Sequence, residues 1–300
     1  MCFHKFFLVT QAVLLSFLIP TSILNAKNET LKVNGSTTVN PVVADGAEYF
    51  RRAGWKVYVD THGGSSGGIT SSASKKADIG MASRYLNAKD HKKFPKANFK
   101  SFTIGYDGVA LVANKDVSES GISALTKEQI KDIYEGKITN WKKLGGKKDL
   151  KIRFYNKEPG RGTWEVFKKF VYGKEKAPKV FHPEVGANQE ALAKVASTPG
   201  AVTQLSAAWA YANSKTVVPL SVFQAGVAVP PTEENIANSR YPLKRPLNLI
   251  VSGKMTPTSE QFIRYFLTPE GQKLVAKHGY LPLPDNVLQK TLTSLEKSSE

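Results

Sequence analysis

Along the chain, short β-branched runs alternate with stretches in which apolar residues recur at helical spacing. Residues 31–34 read as a strand, 39–52 as a helix carrying Ala44, Ala47 and Phe50, and 56–60 as a second strand. The rhythm continues with a helix after Ser66, a strand at 77–80, a strand-rich stretch at 101–114 and a helix at 127–134. Later come a strand at 151–155, helices starting near Thr163 and Gln189, a strand at 246–251 and a helix at 259–267. This order predicts an α/β fold with a mostly parallel sheet and helices on its faces. No repeat, low-complexity block or long linker interrupts it, and the pattern fits either one large sheet or two lobes.

One stretch departs from the rhythm. Lys5 precedes a nearly uncharged apolar run from Phe6 to Leu24 that ends in Leu24-Asn25-Ala26, the layout of a signal peptide over residues 1–26. The competing reading is a retained anchor, because the run approaches the ~20 residues that span a bilayer. Cleavage after Ala26 leaves 274 residues, ample for two lobes with cores. The only cysteine, Cys2, leaves with the signal, so the mature chain has no thiol for a disulfide, a metal or a nucleophile. A periplasmic or secreted protein is expected.

Charge adds a partner class. The formal net charge of +17 becomes +16 without residues 1–26, whose only ionised side chain is Lys5. An anionic partner follows. The lysines are scattered, as in Lys92-Lys93, Lys142-Lys143 and Lys147-Lys148, with no basic arm or aromatic-interleaved stripe, so no nucleic acid is expected. Their summed field would draw a small anion, less so at high salt.

Three segments place glycine and hydroxyl residues where a helix begins: Asn34-Gly35-Ser36-Thr37-Thr38, Gly63-Gly64-Ser65-Ser66-Gly67-Gly68, and Gly160-Arg161-Gly162-Thr163. The first turn of a helix has unpaired N–H groups, glycine lets a ligand approach them, and hydroxyls add donors. Ordinary N-caps would use the same residue types, but the paired glycines on both sides of Ser65-Ser66 exceed what a cap requires. A P-loop does not fit, because Gly68 is followed by Ile69 rather than lysine. A fourth segment, Asp78 to Arg84, ends a strand in Ser83 and Arg84, whose guanidinium suits either two oxygens of a tetrahedral anion or a salt bridge. Asp107, in Tyr106-Asp107-Gly108, reads either as a turn aspartate or as an acceptor for a protonated anion. Phosphate offers such a proton near neutral pH and sulfate does not.

These blocks resemble the phosphate-binding proteins of ABC-type phosphate uptake systems over essentially the whole mature length. The resemblance rests on Gly35-Ser36-Thr37-Thr38-Val39, Gly63 to Ile69, Ala77 to Leu86, Tyr106-Asp107-Gly108, Tyr134 to Trp141, and Pro231 to Ile236 before Tyr241-Pro242-Leu243, all in order. It implies a type II periplasmic-binding-protein fold, two α/β lobes joined by two crossing strands. Lobe 1 would comprise 27–107 and 244–300, and lobe 2 would comprise 108–243. It further implies capture of inorganic phosphate by Ser36, Thr37, Thr38, Ser65, Ser83, Arg84, Gly162 and Thr163, with Asp107 reading the proton. The expected partner is a membrane permease, and the expected state is a monomer without cofactor or metal. Another tetrahedral oxyanion or a phosphate ester is the alternative ligand. Two departures stand out. Where the family usually reads Arg, two residues, Gly-Ser-Gly-Thr, this chain reads Lys157-Glu158-Pro159-Gly160-Arg161-Gly162-Thr163, which makes Arg161 a candidate contact from a new position. Thr203-Gln204 replaces a common Gly-Tyr.

An enzyme is not expected. His62, His91, His182 and His278 are isolated, and no Gly-x-Ser-x-Gly elbow occurs.

Overall fold

The computed structural model describes residues 29–173 and 176–299; the expected signal segment, 1–26, lies outside them. The strands are β1 (Thr30–Gly35), β2 (Lys56–Asp60), β3 (Ile79–Ala82), β4 (Phe99–Asn114), β5 (Ala124–Leu125), β6 (Arg153–Lys157), β7 (Glu184–Val185), β8 (Ala201–Ser206), β9 (Val217–Gln224), β10 (Val227–Val229) and β11 (Lys244–Ser252). Their order is β2-β1-β3-β11-β4-β8-β6-β7, with β9 beside β4. Parallel pairs flank both ends of this path, β2-β1-β3 on one side and β8-β6-β7 on the other.

The middle of the path joins two cores. One gathers Val33, Val43, Phe102, Leu249, Phe262 and Phe266; the other gathers Val112, Trp141, Phe154, Phe167, Val202 and Leu205. β4 belongs to both. Its residues from Phe99 to Gly108 pair antiparallel with β11, and from Val109 onward it pairs with β8 and β9. Burial on both faces explains why Val109 to Ala113 is one unbroken apolar run rather than an alternating one. The result is an α/β fold of two lobes, with β4 and β11 as the chain's two passages between them.

Most expected elements are present with small shifts. The helix expected after Ser66 begins earlier, as Gly64–Ala73, because Gly63 and Gly64 adopt left-handed φ values of 71° and 59° that turn the chain into it. The expected strand at 151–155 begins at Arg153, since Lys151 is spent on an isolated bridge to Asn140. β8 gave no strand signal because it carries Thr203 and Gln204 in the buried interior. Both are satisfied there: Thr203 Oγ1 donates to the Tyr155 carbonyl at 2.8 Å, and Gln204 donates to Asn156 Oδ1 and accepts from the Lys157 N–H. This polar ladder locks β8 to β6, the strand that carries Lys157.

Gly68 has a packing role in addition to its place in a ligand-facing segment. A Cβ there would stand 2.6 Å from the Met81 carbonyl oxygen and 2.7 Å from that of Asn34. The missing side chain therefore lets the helix Gly64–Ala73 lie directly on β1 and β3, which fixes Ser65 beside Ser83. Gly68→Ala is expected to lower stability by about 1–3 kcal/mol through overpacking against backbone that cannot yield. Urea unfolding followed by tryptophan fluorescence measures the loss.

Candidate functional site

Each site segment is placed by the end of a strand. β1 delivers Ser36 to Thr38 ahead of the helix Asn40–Arg52, β3 delivers Ser83, and β6 leads through the 158–161 turn to the helix Gly162–Tyr172. They meet at a small, tight cavity. From one lobe it is lined by Ser36, Thr37, Thr38, Gly64, Ser65 and Ser83; from the other, by Lys157, Arg161, Gly162, Thr163, Gly186 and Asn188.

The hydroxyls form a connected layer. Ser36 Oγ donates to Ser83 Oγ at 3.0 Å, the Ser83 N–H donates to Ser65 Oγ at 3.1 Å, and the Thr38 N–H donates to Ser36 Oγ at 3.2 Å. All three serines are buried. Gly162 is pressed against them: a Cβ there would stand 2.5 Å from Ser65 Oγ and 2.7 Å from Ser83 Oγ. Lobe-to-lobe hydrogen bonds hold this closed arrangement. The Ser66 N–H donates to the Gly160 carbonyl at 3.0 Å, and Asn188 Nδ2 donates to Thr38 Oγ1, also at 3.0 Å.

Helix capping separates this place from the rest of the surface. Seven helices elsewhere start on side-chain caps, from Asn87, Asn114, Thr126, Ser206, Thr232, Thr256 and Thr268. The four helices that begin at the cavity, Asn40–Arg52, Gly64–Ala73, Gly162–Tyr172 and Asn188–Ser197, have no side-chain cap. The N–H groups of Ser65, Gly162, Thr163 and Trp164 are left for a ligand, while Asn40 and Ser66 donate to the Ser36 and Gly160 carbonyls, and the helix dipoles place partial positive charge at the cavity. The hydroxyls that looked like possible caps are committed to one another and to the cavity.

Two expected contacts lie outside this lining. Arg84 turns to Asp90, with NH1 and NH2 donating to the two carboxylate oxygens at 2.6 and 2.9 Å, and donates also to Ser66 Oγ. Burial pushes the Asp90 carboxyl up, but the hydrogen bonds from Arg84 and from the Asn87 backbone outweigh it and hold the group below its usual range. Of the two sequence readings of Arg84, the geometry displays the salt bridge, with Asp90 as partner.

Asp107 is occupied by a residue that the sequence reading did not single out. Arg245 stands directly across from it in the β4–β11 pairing. Its Nε and NH2 donate to Asp107 Oδ2 at 3.0 and 2.7 Å, and both side chains are almost wholly buried. The remaining guanidinium donors reach the hydroxyl layer: NH1 to Thr163 Oγ1 at 2.8 Å and Ser83 Oγ at 3.3 Å, NH2 to Thr38 Oγ1 at 3.2 Å. Asp107 thus stands one layer behind the cavity, joined to it through Arg245. The available signal was positional, since Arg245 lies in the Tyr241–Pro246 stretch where the second crossing was expected.

Lys157 is a further buried cation, at 1% exposure. Its Nζ donates to the carbonyls of Gly186 and Ala187 at 2.9 and 3.0 Å, with Asn188 Oδ1 at 3.5 Å. Burial pushes the amine down to about 7, and the Arg161 and Arg245 guanidiniums add to that, while Glu190 and Glu158 act in the opposite sense. Arg161 lines the cavity while paired with Glu158 at 2.7 Å. Among the described residues, no group of three or more His, Cys, Asp or Glu is placed to hold a metal ion.

Two lobes that meet over a small cavity of hydroxyls, uncapped helix starts and buried cations define a solute-binding protein suited to a compact oxyanion. The chain belongs to the PBP superfamily, whose domain matches residues 21–270. It is 28% identical over 257 residues to the phosphate-binding protein PstS of Bacillus subtilis, covering 85% of this chain and 81% of that protein. It is also 28% identical over 290 residues to PstS of Borreliella burgdorferi, covering 90% and 98%. Among solved structures, a protein of Clostridium perfringens described as a phosphate ABC transporter substrate-binding protein, with bound phosphate, superposes with a TM-score of 0.74. The two are 31% identical, over 85% of this chain and all of the other. An ABC-type phosphate transport receptor of Vibrio cholerae superposes with a TM-score of 0.66 at 28% identity, again over 85% and 100%.

The Arg245–Asp107 pair gives a stability test. Asp107→Asn is expected to cost about 3–5 kcal/mol, because it leaves a buried guanidinium without its counter-charge, whereas Asp107→Leu combined with Arg245→Met recovers most of that loss. Denaturant unfolding of the single and double variants measures both.

Proposed function

We propose that this protein is the receptor of an ABC-type phosphate importer, capturing inorganic phosphate and delivering it to a membrane permease. In this reading residues 1–26 are removed on export, and the mature monomer works in the periplasm or outside the cell, with no catalytic role and no cofactor. The lobes are 27–107 with 244–300, and 108–243. The observation that carries the reading is the convergence of four uncapped helix starts on one hydroxyl-lined cavity. The names of the relatives, and the phosphate bound by the Clostridium perfringens protein, support it.

The ligand contacts proposed are Ser36, Thr37, Thr38, Ser65 and Ser83 from lobe 1, with Arg161, Gly162 and Thr163 from lobe 2. Phosphate meets the lobe 1 hydroxyls first; closure then brings the first turn of the helix Gly162–Tyr172 over it. Binding is a shift of population toward the closed state. Serine and threonine hydroxyls accept as well as donate, so a phosphate P–OH finds an acceptor among them. Asp107 and Arg84 support the site from behind, Asp107 by orienting Arg245. The contact between Gly162 and the two serines leaves no room on that side for an organic substituent, which favours the free ion over an ester.

Calorimetric titration of the mature chain should show one phosphate per molecule, with arsenate competing and sulfate binding far more weakly. Equal affinity for sulfate would overturn phosphate selectivity. Gly162→Ala, whose methyl would meet Ser65 and Ser83, is expected to hold the lobes apart and weaken phosphate binding by at least about tenfold, equivalent to 1.4 kcal/mol. The melting temperature of its ligand-free form should stay near that of the parent.

A further inference from the structure

Lys157 is surrounded by acceptors yet lacks a counter-charge. The Gly186 and Ala187 carbonyls and Asn188 Oδ1 face its Nζ, and no carboxylate among the described residues lies within ion-pair distance of it. Three acceptor oxygens match the three donors of an ammonium; a neutral amine would turn its lone pair toward one of them. Burial and the two nearby guanidiniums, Arg161 from the turn before the helix Gly162–Tyr172 and Arg245 from β11, oppose the charged form. The carboxylates of Glu158 beside it and Glu190 on the helix Asn188–Ser197 favour that form from a greater distance. Two sets of forces are therefore closely matched, and Lys157 is part of the cavity wall.

An anion in the cavity alters that balance. It adds the missing negative charge beside the three cations, and in a site shielded from water its attraction is strong. Resting on the phosphate reading above, we infer that Lys157 takes up a proton as the anion enters, so that capture is coupled to proton uptake and release to proton loss. The protonated amine also holds the 186–188 turn by all three donors. Asn188 of that turn reaches Thr38 Oγ1 across the cleft, which ties the proton to lobe closure. An arginine at this position could not do this, because its guanidinium stays charged throughout the accessible pH range.

The test is titration calorimetry with inorganic phosphate in buffers of differing ionisation enthalpy, which counts protons exchanged per phosphate bound. It is applied to the mature protein and to Lys157→Arg, so that the protons phosphate itself exchanges cancel in the difference. At pH 8 the parent should take up about one proton more than the variant, and the difference should vanish near pH 5.5, where Lys157 is already charged. Between pH 7.5 and 9 the affinity of the parent should fall relative to that of Lys157→Arg by up to about tenfold per pH unit. Lys157→Met serves the same comparison if arginine disturbs the fold, and it too should lose the extra proton. Phosphate binding with the same proton count in parent and variants would overturn the inference while leaving phosphate capture standing. Absence of phosphate binding in the parent would overturn both.

Discussion

Arg245 and Asp107 face each other at the point where both passages between the lobes run side by side. The pair is buried from water, so each charge depends on the other, and the three remaining bonds of the guanidinium reach Thr38, Ser83 and Thr163. One side chain thus connects the hinge strands to hydroxyls of both lobes. A buried ion pair contributes little net stability, but it tolerates few alternative geometries. That intolerance is useful here: the register of β4 against β11 sets where Arg245 points, and Arg245 sets where the hydroxyl layer sits.

The sheet and the cavity follow from that register. Lobe 1 segments leave the ends of β1 and β3, of which β3 lies beside β11 and β1 beside β3, while β6 and β8 of the second lobe are fastened to each other by Thr203 and Gln204. Ligand groups from distant parts of the chain are brought within reach of one another by strand order rather than by local sequence. The glycines serve close approach in two ways, Gly68 seating a helix on the sheet and Gly162 seating one lobe on the other.

Much of this was legible beforehand. The alternation of strand and helix patterns gave the fold class, and the Ser-Thr and Gly-Ser segments pointed to eight residues that line one cavity. Local chemistry was less informative about direction. Arg84 and Asp107 are the right residue types near the right place, yet each is taken by a nearer partner: Asp90 six residues on, and Arg245 more than a hundred residues away across a strand pair. Arg245 and Asn188 were missed because nothing in their immediate sequence marks them; only strand pairing and lobe closure make them part of the site. β8 was missed for the opposite reason. Thr203 and Gln204 interrupt the apolar pattern of a buried strand, whereas their hydrogen-bond partners on β6 allow them to be buried.

The distribution of charge around the cavity explains how so basic a protein can hold an anion reversibly. The lysines that dominate the net charge are spread over the surface, where screening limits them to attraction at a distance. The proposed contact layer consists largely of neutral donors, backbone N–H groups and hydroxyls, whose fixed directions select a tetrahedral shape. Full charges stand at or just behind this layer, each with a restraint: Arg245 is neutralised by Asp107, Arg161 by Glu158, and Lys157 by its readiness to lose a proton. Three unrestrained cations in so small a space would repel one another when empty and grip the ion too firmly when full. With each one restrained, the empty cavity is stable, and the arriving anion supplies the charge that the site lacks.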